Sequence, residues 1–246
     1  MKEILENERI DDLEFKGLKI IQNKDGFCFG IDSILLSDFA KEIKKGSKVI
    51  DLGTGTGIIG ILLCMKTELS KIIGVEIQKE VYDMAKRSIK LNNLENKFEI
   101  INENIKNLEN IIETGTFDAV VTNPPYKKIG TGLTNENEKK LISRHEITAN
   151  LEDFIKVSYR MLKDKGTLYM VHRPDRMVDI IELLRKYKLE PKKIKFVYPN
   201  ANKDANLILL KAVKNANPFL KIEKPLYVYN QNGEYTDEIL KIYGKK

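Results

Sequence analysis

The chain has 246 residues, 42% of them hydrophobic, enough for one sizeable core, and no apolar run approaches a membrane span, which excludes a membrane-spanning class. The 42 Lys and Arg against 36 Asp and Glu leave a formal charge of +6, an excess that fits a polyanionic partner without requiring one, since lysine-rich composition alone gives the same balance. Two cysteines, Cys28 and Cys64, cannot build a four-ligand zinc site and, each flanked by apolar residues, read as reduced core thiols of a cytoplasmic protein with no metal.

Residues 1–14 are dense in charge and are expected to fray. From Phe15 an alternation appears, with Leu18 and Ile20, a turn over Asn23 to Gly26, then Phe27 and Phe29, and it predicts a hairpin ahead of the main domain. Gly30, Ile31 and Asp32 open a helical pattern through Ile34, Leu35, Asp38 and Phe39, with Asp32 or Ser33 as its cap and its end near Lys45 and Gly46.

Lys48 to Leu52 is the first core strand, and it runs into Asp51, Gly53, Gly55, Gly57 and Gly60 and a wholly apolar helix from Ile58 to Met65. Glycine lets the backbone approach a ligand closely, and the helix N-terminus offers unpaired N–H groups to a carboxylate or phosphate. Lys71 to Ile77 is a second strand, and its Glu76 stands where an acid accepts from both ribose hydroxyls of a nucleoside. Gly55, Gly57 and Gly60 also satisfy the G-x-G-x-x-G pattern of nicotinamide enzymes, so the loop alone does not choose the cofactor. Asp51, ahead of the first glycine, is placed to meet an ammonium group, which a nicotinamide does not need.

Val81, Met84, Ala85, Ser88 and Ile89 trace one face of a helix closed by Asn92 and Asn93, and Phe98 to Ile101 is a third strand ending in Asn102, Glu103 and Asn104. The stretch from Asp118 to Tyr126 is the most informative in the chain. Its apolar run Ala119, Val120, Val121 reads as a buried strand, and Pro124 and Pro125 end it because neither can donate to a ladder. The prolines also hold Asn123 extended, so that its side-chain amide and the Pro124 carbonyl can face one spot. Two such acceptors match the two N–H groups of a planar amine, and the Tyr126 ring can stack on a flat substrate. The plainer alternative is a strand-terminating turn.

Lys127 to Ile142 is a polar loop, and Leu151 to Leu162 a helix capped by Asn150. Gly166 to His172 is a fifth strand, Asp175 to Tyr187 a helix, and Ile194 to Tyr198 and Leu207 to Val213 the sixth and seventh strands, antiparallel because only a short loop joins them. The tail from Pro218 carries Leu226 to Tyr229, a turn at Asn232 and Gly233, and a short helix from Thr236 to Tyr243.

The ordered set of Asp51 to Gly60, Glu76 and Asn123 to Tyr126 resembles the class I S-adenosylmethionine-dependent methyltransferases that modify an exocyclic or amide nitrogen. The resemblance implies an α/β, Rossmann-like seven-stranded mixed sheet of order 3-2-1-4-5-7-6 with the seventh strand antiparallel. It divides the chain into an N-terminal hairpin and helix extension (1–46), a methyltransferase core (47–214) and a C-terminal extension packed on the core (215–246). The Phe-x-Phe-Gly-x-Asp-Ser run within Phe27 to Phe39, Arg144-His145-Glu146, and Gly233-Glu234-Tyr235-Thr236 are similar to the bacterial tRNA adenine methyltransferases that act on the 6-amino group of adenine 37 in a valine tRNA.

That resemblance implies S-adenosylmethionine as cofactor and the anticodon loop of a tRNA as partner, with no membrane, no metal and a monomer favoured. Asp51, Gly53, Gly55 and Gly57 would hold the methionine part and Glu76 the ribose. Ile77 would pack on the adenine ring, Asn104 would stand where an Asp often contacts the adenine amine, and Phe29 and Asp32 would lie near the methyl donor. Asn123 and Pro124, followed by Pro125, would bind the target amine, and Tyr126 would stack on the base. Lys127, Lys128 and Arg144 would meet the RNA, with a solvated loop as the alternative for the lysines there and at Lys139 and Lys140. His145 would order the loop and His172 would be structural. Methylation of a release-factor glutamine amide is the nearest competitor, although such enzymes usually carry a larger helical domain ahead of the core. Methylation of a guanine 2-amino group in rRNA, a cofactor-binding RNA-associated module without activity, and a nicotinamide dehydrogenase are the others.

Overall fold

In the computed structural model, which describes residues 4–24, 30–126 and 149–246, the chain begins with an antiparallel hairpin of β1 (Glu8–Asp12) and β2 (Lys19–Asn23). There follow α1 (Ile31–Phe39), β3 (Lys48–Leu52), α2 (Ile58–Lys66), β4 (Lys71–Glu76), α3 (Lys79–Leu91), β5 (Phe98–Asn102) and β6 (Phe117–Thr122). Beyond residue 148 come α4 (Leu151–Met161), β7 (Leu162–His172), α5 (Met177–Lys186), β8 (Leu189–Tyr198), β9 (Leu207–Lys214), the two-residue strands β10 (Lys221–Ile222) and β11 (Leu226–Tyr227), and α6 (Asp237–Ile242).

The seven long strands from β3 to β9 form one sheet in the order β5-β4-β3-β6-β7-β9-β8, which is the expected 3-2-1-4-5-7-6. β9 runs antiparallel to both β7 and β8, and the other pairings among these seven are parallel. β10 and β11 extend the sheet, each parallel to the outer edge of β8, in the registers Lys221↔Lys193 and Leu226↔Val197. No expectation placed them in the sheet, because two residues are too few to show a period.

The strands read as apolar runs because both faces are covered. Val49, Ile72, Ala119, Val121 and Tyr169 face the layer of α1 and α2, whereas Ile50, Leu52, Val75, Val120 and Leu168 face that of α4 and α5. Each aliphatic side chain buried this way contributes about 1.5–3 kcal/mol before entropy is counted. Phe98, 2% exposed, fills the space between α2 and β4 and explains two glycines. A Cβ on Gly60 would lie 2.3 Å from its ring and one on Gly74 2.9 Å, so Gly60 is required by packing rather than by a ligand.

Three boundaries differ from the expectations. Among the described residues the hairpin lies over residues 8–23, and the segment expected to fray supplies its first strand. That strand, Glu-Arg-Ile-Asp-Asp, has no apolar alternation to betray it, and its place is fixed by α3. Arg87 Nη1 and Nη2 donate to the two Glu8 oxygens at 2.5 and 2.6 Å, Ser88 Oγ accepts from Ile21 N at 2.9 Å, and Asn92 Oδ1 accepts from Lys19 N at 2.9 Å. The return strand proposed at Phe27 and Phe29, with Cys28, lies outside the described residues. Helix α1 is capped by the backbone of Gly30, not by Asp32 or Ser33, and ends at Phe39 in a short 3-10 turn, Ala40–Glu42, ahead of Lys45. The Asn92 C-cap of α3 and the Asn150 N-cap of α4, here a full capping box with Asp153, agree with the reading. Cys64 is buried, and no helix among the described residues is long and apolar enough to cross a membrane.

Candidate active site

The side chains of interest gather at the carboxyl ends of β3, β4, β6 and β7, where parallel strands leave a crevice. Side chains alternate along a strand, so Asp51 follows Val49, Glu76 follows Ile72 and Asn123 follows Val121 onto the α1–α2 face. Thr122 Oγ1 donates to the Leu52 carbonyl at 2.8 Å and fixes β6 against β3 at this level.

Asp51 is fully buried, its Oδ2 accepts from Thr54 Oγ1 at 2.6 Å, and its Oδ1 has no partner among the described residues. Burial pushes the carboxyl up to about 7, opposed by the Thr54 hydroxyl and reinforced by the negative charge of Glu76. Gly53, Gly55 and Gly57 all have left-handed φ, between 58° and 88°, which other residues adopt only at a cost. The loop they form is tied to β4 by Thr54 N donating to Val75 O at 2.9 Å and Gly55 N to Glu76 Oε2 at 3.1 Å. Glu76 Oε1 accepts from Gln78 N at 2.8 Å. Helix α2 starts from Gly57 with no side-chain cap.

These groups fit S-adenosylmethionine. Asp51 Oδ1 and His172 Nε2 are the two buried side-chain atoms without a partner among the described residues, and an ammonium would satisfy the first. The Glu76 oxygens, each accepting one hydrogen bond, have capacity for a hydroxyl donor as well. A Cβ built on Gly55 would meet no atom within 4 Å, so the space beside it is open.

At the corner after β6, Asn123 Nδ2 donates to Asp32 Oδ2 at 3.0 Å and approaches Ser33 Oγ at 3.5 Å, while Tyr126 Oη donates to the same Asp32 oxygen at 2.7 Å. Burial, then the adjoining Asp32 carboxylate, hold the Tyr126 hydroxyl far above the ordinary tyrosine range. The Tyr126 ring leans on His172, with centroids 5.1 Å apart at 56°. His172 is 1% exposed, its Nδ1 accepts from Arg173 N at 2.8 Å, and burial with the nearby Arg176 charge pushes it down to about 4. It is therefore neutral near pH 7, with its proton on the unpartnered Nε2.

The structure thus brings Asp51, Gly53, Gly55, Gly57, Glu76, Asn123, Pro124, Pro125 and Tyr126 to one edge of the sheet, with the half-buried Ile77 directly after Glu76. Asp32 stands beside the corner, its Oδ2 directed to Asn123 and Tyr126. Asn104 caps the 3-10 turn Ile105–Asn110, its Oδ1 accepting from Lys106 N at 3.0 Å, whereas Asn102 Nδ2 ties β5 to the Glu76 and Ile77 carbonyls at 2.8 and 3.0 Å. His172, structural in the sequence reading, contacts Tyr126; the signal for it is its place at the end of the fifth strand, two residues beyond Met170, the partner of Thr122. Phe29, Lys127, Lys128, Lys139, Lys140, Arg144, His145 and Glu146 lie outside the described residues. Among those described, no cluster of three His, Cys, Asp or Glu side chains could hold a metal.

Comparison with known proteins follows the same lines. The family model described as methyltransferase small domain matches residues 29–197. A tRNA1(Val) (adenine(37)-N6)-methyltransferase of Porphyromonas gingivalis is 28% identical over 204 residues, which span 81% of this chain and 79% of that protein. One with the same description from Mannheimia succiniciproducens is 25% identical over 233 residues, 92% of this chain and 90% of that protein. Among solved structures, a predicted O-methyltransferase from Agrobacterium tumefaciens superposes with a TM-score of 0.70 at 20% identity, covering 87% of this chain and 96% of its own. The T. thermophilus 16S rRNA N2 G1207 methyltransferase, in complex with AdoMet and guanosine, gives a TM-score of 0.60 at 18% identity, covering 85% and 51%. These two share the fold.

Proposed function

The chain belongs to the methyltransferase small domain family, and on that premise we propose that it transfers the methyl group of S-adenosylmethionine to the 6-amino group of adenine 37 in the anticodon loop of a valine tRNA. The observation that carries this reading is the Asn123 amide, whose nitrogen is bonded to Asp32, leaving Oδ1 as an acceptor for a substrate N–H. The relatives bearing the tRNA description, at 21–29% identity, support an RNA substrate.

In this reading Asp51 Oδ1 takes the cofactor's ammonium, the Gly53–Gly57 backbone lies along its methionine part, Glu76 accepts from the ribose hydroxyls, and Ile77 packs on the adenine. When bound, the cofactor supplies a methyl on a sulfonium, a leaving group that needs no activation. The acceptor does need help, because the lone pair of an aryl amine is delocalised into its ring. Asn123 Oδ1 and the Pro124 carbonyl each accept one N–H, which favours a pyramidal nitrogen and stabilises the positive charge that develops on it. Positioning supplies much of the rate, and the proton leaves after transfer. An anticodon loop presents the base unpaired, so extrusion costs mainly stacking, which the Tyr126 ring can restore.

The test incubates the protein with methyl-labelled cofactor and either bulk tRNA or a release factor, then maps the labelled product. N6-methyladenosine at position 37 of valine tRNA is expected. Label in the release-factor glutamine alone, or in 2-methylguanosine, overturns the assignment.

A further inference from the structure

We infer that Asp32 is a positioning residue for the target amine, its carboxylate fixing which end of the Asn123 amide meets the substrate and anchoring Tyr126 beside it. The inference rests on the proposed amine-methylating reading of the corner. Asp32 is 8% exposed and sits in the first turn of α1, yet its carboxylate is directed across to the end of β6. Oδ1 accepts from Ser33 N at 2.9 Å, and Oδ2 accepts from both Asn123 Nδ2, at 3.0 Å, and Tyr126 Oη, at 2.7 Å. The three donors are neutral, so the carboxylate orients dipoles here.

An asparagine amide has nearly the same shape in its two flipped orientations, but the flip exchanges an acceptor for a donor at the same place. For a substrate NH2 group, only an outward oxygen is productive; an outward NH2 would set donor against donor. A carboxylate is acceptor-only when ionised, so against Asp32 the nitrogen of Asn123 makes a charge-assisted hydrogen bond whereas its oxygen would be repelled. The outward oxygen therefore follows from the chemistry of the Asp32 carboxylate. Because the same Oδ2 holds the Tyr126 hydroxyl, one atom sets both the acceptor and the ring. The two bonds join residues 91 and 94 positions apart, so the extension ahead of the core completes the corner.

The test compares Asp32→Ala, Asp32→Asn, Asn123→Ala and the Asp32→Ala/Asn123→Ala double variant in steady-state methyl transfer, with S-adenosylhomocysteine affinity by calorimetry and thermal unfolding. Losing the orientation should lower kcat roughly 100-fold in Asp32→Ala, with the KM for the RNA and the affinity for S-adenosylhomocysteine each within about threefold of wild type. Asp32→Asn, which keeps an acceptor but allows either flip, should fall between and serves alone if the alanine variant does not fold. Since Asp32 acts through Asn123 and Tyr126, the double variant should be no more than about 10-fold slower than Asn123→Ala, the share carried by the ring, whereas a merely structural role would add its full loss. Weakened S-adenosylhomocysteine binding that matches the fall in kcat, or fully additive losses, overturns the inference. Wild type that labels only the release factor refutes the tRNA reading but not this one, because an amide presents the same NH2 group and the same comparison then runs on that substrate. Wild type that labels neither refutes both, and the binding arm still reports whether Asp32 touches the cofactor.

Discussion

Replacing Asp51 by Asn should make the cofactor-free protein more stable and at the same time a poor cofactor binder. An unfolded aspartate ionises near 3.8, but in the fold burial raises Asp51 to about 7, so between these values the unfolded state releases a proton that the folded state keeps. The destabilisation grows as pH rises through that window and is complete above it, where it reaches up to about 4 kcal/mol. Asn at this position cannot ionise and still offers an acceptor to Thr54 Oγ1, but its NH2 group would occupy the place of the unpartnered Oδ1, a penalty of about 1–3 kcal/mol. The net gain at pH 8 is then about 1–3 kcal/mol, or roughly 3–10 °C in Tm for a chain of this size, and by pH 4, where the ionisation term is nearly gone, it should reverse to a loss of about 1–3 kcal/mol. Losing the charge should weaken S-adenosylhomocysteine binding by at least about 30-fold. Differential scanning calorimetry at pH 4, 6 and 8 and titration calorimetry measure both effects. A variant that melts no higher than wild type at pH 8, or that binds the ligand equally well, refutes the account of the lone buried oxygen.

Tyr126→Ala should slow RNA methylation by about 10-fold or more, the worth of one base-stacking contact, while S-adenosylhomocysteine affinity stays within about threefold; an equal loss of cofactor binding would assign the ring to the other ligand. Arg87→Ala leaves the buried Glu8 carboxylate without its bidentate partner and should cost about 1–3 kcal/mol in urea unfolding, with earlier proteolysis of the hairpin; unchanged unfolding and cleavage would show that the pair does not dock it. In wild type, Arg87 holds Glu8 below the ordinary carboxylate value of 4.5, so this contribution is present above that value and is lost as pH falls through the lowered one. Gly60→Ala drives a methyl to within 2.3 Å of the Phe98 ring and should cost about 1–3 kcal/mol, a loss that a smaller side chain at position 98 partly restores; equal stability of Gly60→Ala and wild type would disprove the packing role.

What could be read from the sequence was local. The glycine loop between β3 and α2, and the strand ending at Asn123-Pro124, are contiguous signals with strict backbone requirements, and both fall where expected. The strand order came from the resemblance, and the pairings bear it out. Contacts between distant segments left no local trace. The polar strand β1 is indistinguishable from a frayed end until Arg87, 79 residues away, is brought to Glu8. Asp32 reads as a helix cap or a cofactor neighbour because nothing nearby in sequence announces Asn123 or Tyr126. Asn102 and Asn104 offer the same chemistry two residues apart, and only the pairing of β5 with β4 decides which one reaches the turn after Glu76.

The short strands β10 and β11 matter beyond their length. Without them, the outer side of β8 from Lys193 to Tyr198 would present unpaired peptide groups, a template on which a second chain could add a strand. With them, Glu223 N meets Ile194 O at 2.8 Å, and Val228 N and Tyr229 N meet Tyr198 O and Pro199 O at 2.9 and 2.8 Å. The final thirty or so residues therefore act as a selvedge, and a chain cut after Lys214 would keep every residue of the corner from Asn123 to Tyr126 yet be prone to self-association along that margin.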